Sequence, residues 1–205
     1  MSNWVPRTTA PDRSDPRWIQ IGSGGYNECI YGSDGPPSVL PDCTGYVHGR
    51  IMEHRGVTTD NSGLSFGNGA TYWSQSSADW TQSSEPQVGA VACYYTNTAA
   101  DGQPGHVAIV EEVIDADTII ITESHYGGAY WDRVTCYRQY GWRPTAGWNV
   151  TPQGFLLNPY ITPGPQPPEP PGPVEPVGDL TPSILMLLLM KRRKKLHGKR
   201  TTSSL

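Results

Sequence analysis

Lysine is missing from the first 180 residues of this 205-residue chain, and phenylalanine occurs only twice. The body before Thr181 sets 8 arginines against 19 acidic residues, a balance of −11. A surface of that sign argues against a nucleic-acid enzyme, because phosphate binding needs a basic footprint. The four cysteines, Cys29, Cys43, Cys93 and Cys136, form no Cys-x-x-Cys pair, which removes the usual zinc arrangement. The opening Met1-Ser2-Asn3-Trp4 has neither the basic nor the apolar region of a secretory leader. The chain is therefore expected to be made without one and to keep its thiols free. The apolar run at 184–190 has seven residues, far short of the roughly 20 that span a bilayer. No internal repeat is present.

What is abundant is glycine (23), proline (20), tyrosine (11) and tryptophan (7), with an apolar fraction of 36%. This composition predicts a loop-rich α+β domain rather than a helical bundle. Residues 1–40 read as irregular, broken by Gly22-Ser23-Gly24-Gly25 and Gly35-Pro36-Pro37. A helix is predicted from Asp42 to about Arg55, with Asp42 as its cap and Tyr46, Val47, Ile51 and His54 at helical spacing. Residues 58–85 are polar and rich in glycine and serine. Strands are predicted over 90–95, 106–114, 118–122, near 133–138 and at 155–157. Residues 161–180 are a proline-rich, extended linker, and 181–205 form a short apolar and basic tail, so the globular domain is expected to occupy residues 1–160.

Three segments carry the chemistry. Cys43 follows Asp42 at the predicted helix N-terminus, where the dipole and unpaired backbone N–H groups favour a thiolate and offer an oxyanion site. His106 opens an apolar strand, and Glu123 closes the next one. A two-residue turn at Asp115-Ala116 would set His106 opposite His125 and diagonal to Glu123, about 7–8 Å away at the backbone. A one-residue change of register would move Glu123 to the other face. A thiol, an imidazole and a carboxylate in this order are the parts of a cysteine hydrolase.

The chain resembles the CHAP family, the cysteine- and histidine-dependent amidohydrolases/peptidases. The stretches that carry the resemblance are Asp42-Cys43-Thr44-Gly45-Tyr46-Val47, Gly67-Asn68-Gly69-Ala70-Thr71-Tyr72-Trp73 and Pro86-Gln87-Val88-Gly89-Ala90-Val91-Ala92. Gly105-His106-Val107-Ala108-Ile109-Val110-Glu111 and Ile121-Thr122-Glu123-Ser124-His125-Tyr126 complete the set, in order, over roughly residues 20–160. The resemblance implies a papain-like α+β fold with the cysteine-bearing helix packed on an antiparallel sheet. It implies hydrolysis of peptidoglycan amide bonds, with Cys43 as nucleophile, His106 as general base and then acid, and Glu123 orienting His106. Where the family often has Asn, this chain has His125, which is expected either to donate a hydrogen bond in that residue's place or to line the substrate groove. A sister family, the NlpC-type peptidases, more often carries histidine as its third residue.

No cofactor and no metal are expected. Asp34 and Asp42 are the only acidic residues in the stretch before Cys43 that holds calcium in some phage relatives. Tyr26, Tyr46, Trp73, Tyr126 and Trp131 are candidate groove walls. The expected protein is a phage lysin or virion-associated lysin, either an endopeptidase or an N-acetylmuramoyl-L-alanine amidase. It is present in the host cytoplasm before lysis or in the virion. Its partner is peptidoglycan, with virion components or a membrane surface as partners of the basic tail. The competing readings are a non-catalytic wall-binding or structural virion domain, and a cytosolic thiol amidase.

Overall fold

The computed structural model describes residues 3–20, 31–96, 104–144 and 150–162. Helix α1 (Cys43–Arg55) starts where its cap predicts. Asp42 is extended, and its carboxylate accepts from the Gly45 N–H at 2.8 Å and from the Thr44 hydroxyl at 2.5 Å. The helix ends at Gly56, which is left-handed at φ 65° and returns its N–H to the Glu53 and Met52 carbonyls. Gly45 is required by the close approach of the preceding segment, since a Cβ there would lie 2.3 Å from the Val39 carbonyl oxygen. Replacing Asp42 with alanine strips the cap and is expected to cost about 1 kcal/mol of stability, read as a lower urea midpoint at unchanged m-value.

Six strands form one antiparallel sheet in the order β1-β6-β2-β3-β4-β5. They are β1 (Thr81–Ser83), β2 (Val91–Thr96), β3 (His106–Asp115), β4 (Thr118–Glu123), β5 (Asp132–Tyr137) and β6 (Val150–Leu157). This is the α+β arrangement expected, with the cysteine-bearing helix at the front of the chain. Sequence patterning did not reveal the short β1 or the one-turn helix α2 (Tyr72–Gln75), both inside the polar 58–85 stretch. One side of the sheet contributes Val91, Cys93, Val107, Ile109 and Leu156 to a core shared with Tyr46, Val47 and Ile51 of α1. The other contributes Ala92, Tyr94, Ala108, Val110, Ile119 and Ile121, which pack with Trp142 and Phe155. Strand alternation makes both sets continuous.

The β3–β4 hairpin corrects one expectation in an instructive way. Asp115 pairs with Thr118, so the turn is at Ala116-Asp117 and starts two residues out of the predicted register. Two irregularities follow, between Val113 and Asp115 and between Val110 and Glu112. Each inserts one extra residue on β3. By Val110↔Ile121 and Ile109↔Thr122 the pairing has returned to the predicted register. Extended to the end of the hairpin, it sets His106 level with His125 and diagonal to Glu123.

A buried ion pair ties the helix to the sheet. Arg50 on α1 donates from Nε to Glu111 Oε1 at 2.8 Å and from Nη2 to Oε2 at 2.9 Å. Thr122 Oγ1 also donates to Oε1 (2.7 Å), while Trp4 Nε1 (2.9 Å) and the Arg7 N–H (3.0 Å) donate to Oε2. Glu111 is fully buried, and five donors meet its charge there. The segment 3–20, read from sequence as irregular, is thus part of the domain. Trp18 is buried and stacks on Tyr46 with ring centroids 5.6 Å apart.

Cys29, Tyr26 and the glycine run at 22–25 lie outside the described residues. So do the linker and tail beyond Thr162. Among the described residues, no helix is long and apolar enough to cross a membrane.

Candidate active site

His106 is the first residue of β3 and Glu123 the last of β4, so the hairpin delivers both to one end. The His106 Nε2 lies 2.8 Å from Glu123 Oε2, and both side chains are almost wholly buried. Nδ1 is the ring nitrogen turned away from that carboxylate. His125 follows on the next turn. Its backbone is held by the bond from its own N–H to the Ala129 carbonyl (2.9 Å) and by the Gly128 N–H on its carbonyl (2.8 Å). Its Nε2 sits 3.1 Å from Glu123 Oε1. That ion-pair contact falls short of a well-aligned hydrogen bond. Two imidazoles therefore flank one carboxylate, with the ring centroids of His106 and His125 5.1 Å apart.

Burial alone would raise the Glu123 pKa. The contacts from His106 and His125 outweigh it and hold the carboxyl at about 2. For His125, burial works to lower the pKa, and Glu123 with Asp132 overcomes it, so the net direction is upward. Glu123 therefore stabilises the fold above its unfolded value of 4.5, and that contribution is lost as pH falls from about 4.5 to about 2. Acid titration of the native state, followed by tryptophan fluorescence, is expected to show a loss of stability in that window that a Glu123→Gln variant does not share.

Cys43 is the first residue of α1 and is buried. Burial pushes its thiol well up, and the Asp42 carboxylate adds to this. The backbone amides of Val107, Cys43 and Thr44 act in the opposite sense. The amide of Val107, the neighbour of His106, thus reaches the sulfur. A thiol held neutral this way needs a base at the moment of attack. A second link holds the nucleophile segment to the end of β4: the Asp42 N–H donates to Ser124 Oγ at 3.1 Å, next to Glu123. Behind His106 lies the 67–71 loop, where the Ala70 N–H meets the Pro104 carbonyl at 3.0 Å. A Cβ on Gly69 would come within 3.0 Å of the His106 backbone, so this backing loop needs glycine. Sequence reasoning missed the roles of Ser124 and Gly69, although both lie inside motifs it had singled out.

Of the candidate groove walls, Tyr46 departs from expectation. Tyr46 is not a groove wall: it is fully buried, donates its hydroxyl to Thr122 Oγ1 at 2.7 Å and accepts from Trp131 Nε1 at 3.2 Å. Its place on the inward face of α1 puts it in the core. Trp73 and Trp131 are half-buried and Tyr126 is exposed. Cys93 and Cys136 are buried free thiols on the sheet. His106, Glu123 and His125 each offer one donor atom, and these atoms lie within 4.8 Å of one another, a spacing that a metal ion can bridge.

The CHAP domain family model matches residues 31–125, which contain Cys43, His106, Glu123 and His125. Among solved structures, an N-acetylmuramoyl-L-alanine amidase from Staphylococcus aureus is 22% identical with a TM-score of 0.41. The match covers 63% of this chain and 34% of that one, so the chain spans about a third of the amidase's length.

Proposed function

We propose, from the match of residues 31–125 to the CHAP domain family model, that this chain is a CHAP-type enzyme that hydrolyses amide bonds of bacterial peptidoglycan through Cys43, His106 and Glu123. The observation that carries the reading is the joint placement of the buried His106–Glu123 pair and of Cys43, whose sulfur lies against the Val107 amide at a helix N-terminus. His106 takes the thiol proton as Cys43 sulfur attacks the amide carbonyl carbon. The backbone N–H groups at the start of α1 stabilise the oxyanion. His106 then gives its proton to the leaving amine, and the thioester is hydrolysed by a water that the same imidazole activates. Glu123 stays ionised throughout and holds the imidazole through Nε2. This leaves Nδ1 as the atom that exchanges the proton.

The bond cleaved is either one within the peptide moiety or that between muramic acid and L-alanine. The protein acts as a phage lysin or a virion-associated lysin, and its basic tail engages an anionic surface or a virion partner. The domain occupies residues 1–160, followed by the linker and the tail. The test is release of new amino groups from purified Gram-positive peptidoglycan, followed by mass spectrometry of the fragments. Cys43→Ala is expected to remove at least about a thousandfold of the rate while the protein remains folded. Absence of amine release by folded, reduced wild type across several wall chemistries would instead favour a wall-binding or structural domain.

A further inference from the structure

We infer that His106, Glu123 and His125 form a three-ligand site for a borderline-soft divalent cation, zinc being the best fit, and that loading it switches the hydrolase off. The binding claim stands on the donor cluster alone. The inhibition claim rests on the function proposed above.

Two imidazole nitrogens and a carboxylate oxygen are a donor set that zinc accepts in tetrahedral sites with a fourth position open. The required distances are close to those present. Ligands about 2.0–2.1 Å from zinc lie roughly 3.4 Å from each other. The Glu123 oxygens are 2.8 Å from His106 Nε2 and 3.1 Å from His125 Nε2, so the two gaps open by roughly 0.6 Å and 0.3 Å to admit the ion. The two rings approach the carboxylate from opposite oxygens, and the three donor atoms lie within 4.8 Å of one another, so one ion can be shared among them.

The donors are also held in place. His106 and Glu123 are strand residues, and the His125 backbone is fixed by the turn closed at Ala129 and Gly128. Preorganised ligands bind more tightly than ones that must be gathered. An entry path exists on the His125 side, where the side chain is 21% exposed against 4% for His106 and 1% for Glu123. Asp132, directly across from Glu123 on β5, adds negative charge beside His125.

The consequence for catalysis follows from imidazole chemistry. A ring that coordinates a metal through Nε2 carries its proton on Nδ1. Nδ1 is then a donor and cannot accept the Cys43 proton. The same ion removes Glu123 from its orienting role. Zinc binding and general-base function are mutually exclusive at this histidine.

The test begins with isothermal titration of Zn²⁺ into Cys43→Ala, which removes the thiol as a competing ligand. One ion per chain at micromolar affinity or better is expected. Co²⁺ is expected to give visible ligand-field bands in this variant without a thiolate charge-transfer band. His125→Asn, with its fold verified by circular dichroism and thermal melting, is expected to bind at least about a hundredfold more weakly. Wild-type amine release from peptidoglycan is expected to fall with micromolar Zn²⁺, to return with chelator, and to ignore Mg²⁺ and Ca²⁺. Loss of binding in Cys43→Ala, or unchanged binding in His125→Asn, overturns the site. Binding without inhibition of an active wild type overturns the switch. A wild type that binds zinc in the predicted way but releases no amine leaves the site standing and sinks the hydrolase reading.

Discussion

Glu123→Ala is expected to lower the rate of amine release by about 10²–10⁴-fold, mainly in kcat. The carboxylate touches no substrate in the proposed mechanism. In that mechanism its work is to fix the His106 ring through Nε2, 2.8 Å away, and to stabilise the imidazolium that forms when Cys43 attacks. Without it the ring can rotate or take the wrong tautomer, and a buried cation loses its partner. Glu123→Gln keeps an acceptor for Nε2 and loses the charge, so its rate should fall between wild type and Glu123→Ala. Steady-state kinetics on soluble wall fragments would separate kcat from KM. A loss under about threefold in a folded Glu123→Ala protein would mean that some other group orients His106.

Glu111→Ala is expected to destabilise the domain by about 3–5 kcal/mol. The change leaves Arg50 charged and buried with its principal partner gone, and it orphans donors on Thr122, Trp4 and Arg7. For a domain of this size, each kcal/mol moves Tm by roughly 2–4 °C, so the drop should be near 10 °C. The neighbouring Glu112 is the internal comparison. It lies partly exposed on the same strand and pairs with Arg133, so Glu112→Ala should cost under about 1 kcal/mol. Calorimetry of the two variants side by side decides the matter. Equal, small effects would mean that the buried network contributes no net stability to the fold.

These two residues also mark where sequence reading stops. The Asp42 cap, α1 and the core strands were legible because each rests on local patterning: a cap before a helical period, or a run of β-branched residues. Glu111 was legible only as the end of an apolar strand. Its importance comes from Arg50 and Trp4, 61 and 107 residues away in the chain, and no local pattern announces such a meeting. Tyr46 was misplaced for a related reason. Helical spacing said that it lies on one face with Val47 and Ile51, but not whether that face met the groove or the sheet. The hairpin is a subtler case. The turn expected at Asp115-Ala116 forms one position later, and the two irregularities on β3 bring His106 and Glu123 back to the predicted alignment. The expected end point was reached by a different path, because bulges depend on pairing that the sequence of one strand does not reveal.

The grip of Trp4 and Arg7 on Glu111 bears on what a portable unit of this protein would be. The family match starts at residue 31, and a protein engineer grafting this domain onto a targeting sequence would be drawn to cut there. Such a graft would leave behind two of the five donors on the buried carboxylate, and the tryptophan that stacks on Tyr46. The transplantable piece begins upstream of Trp4, and fusion partners belong on the far side of that strap.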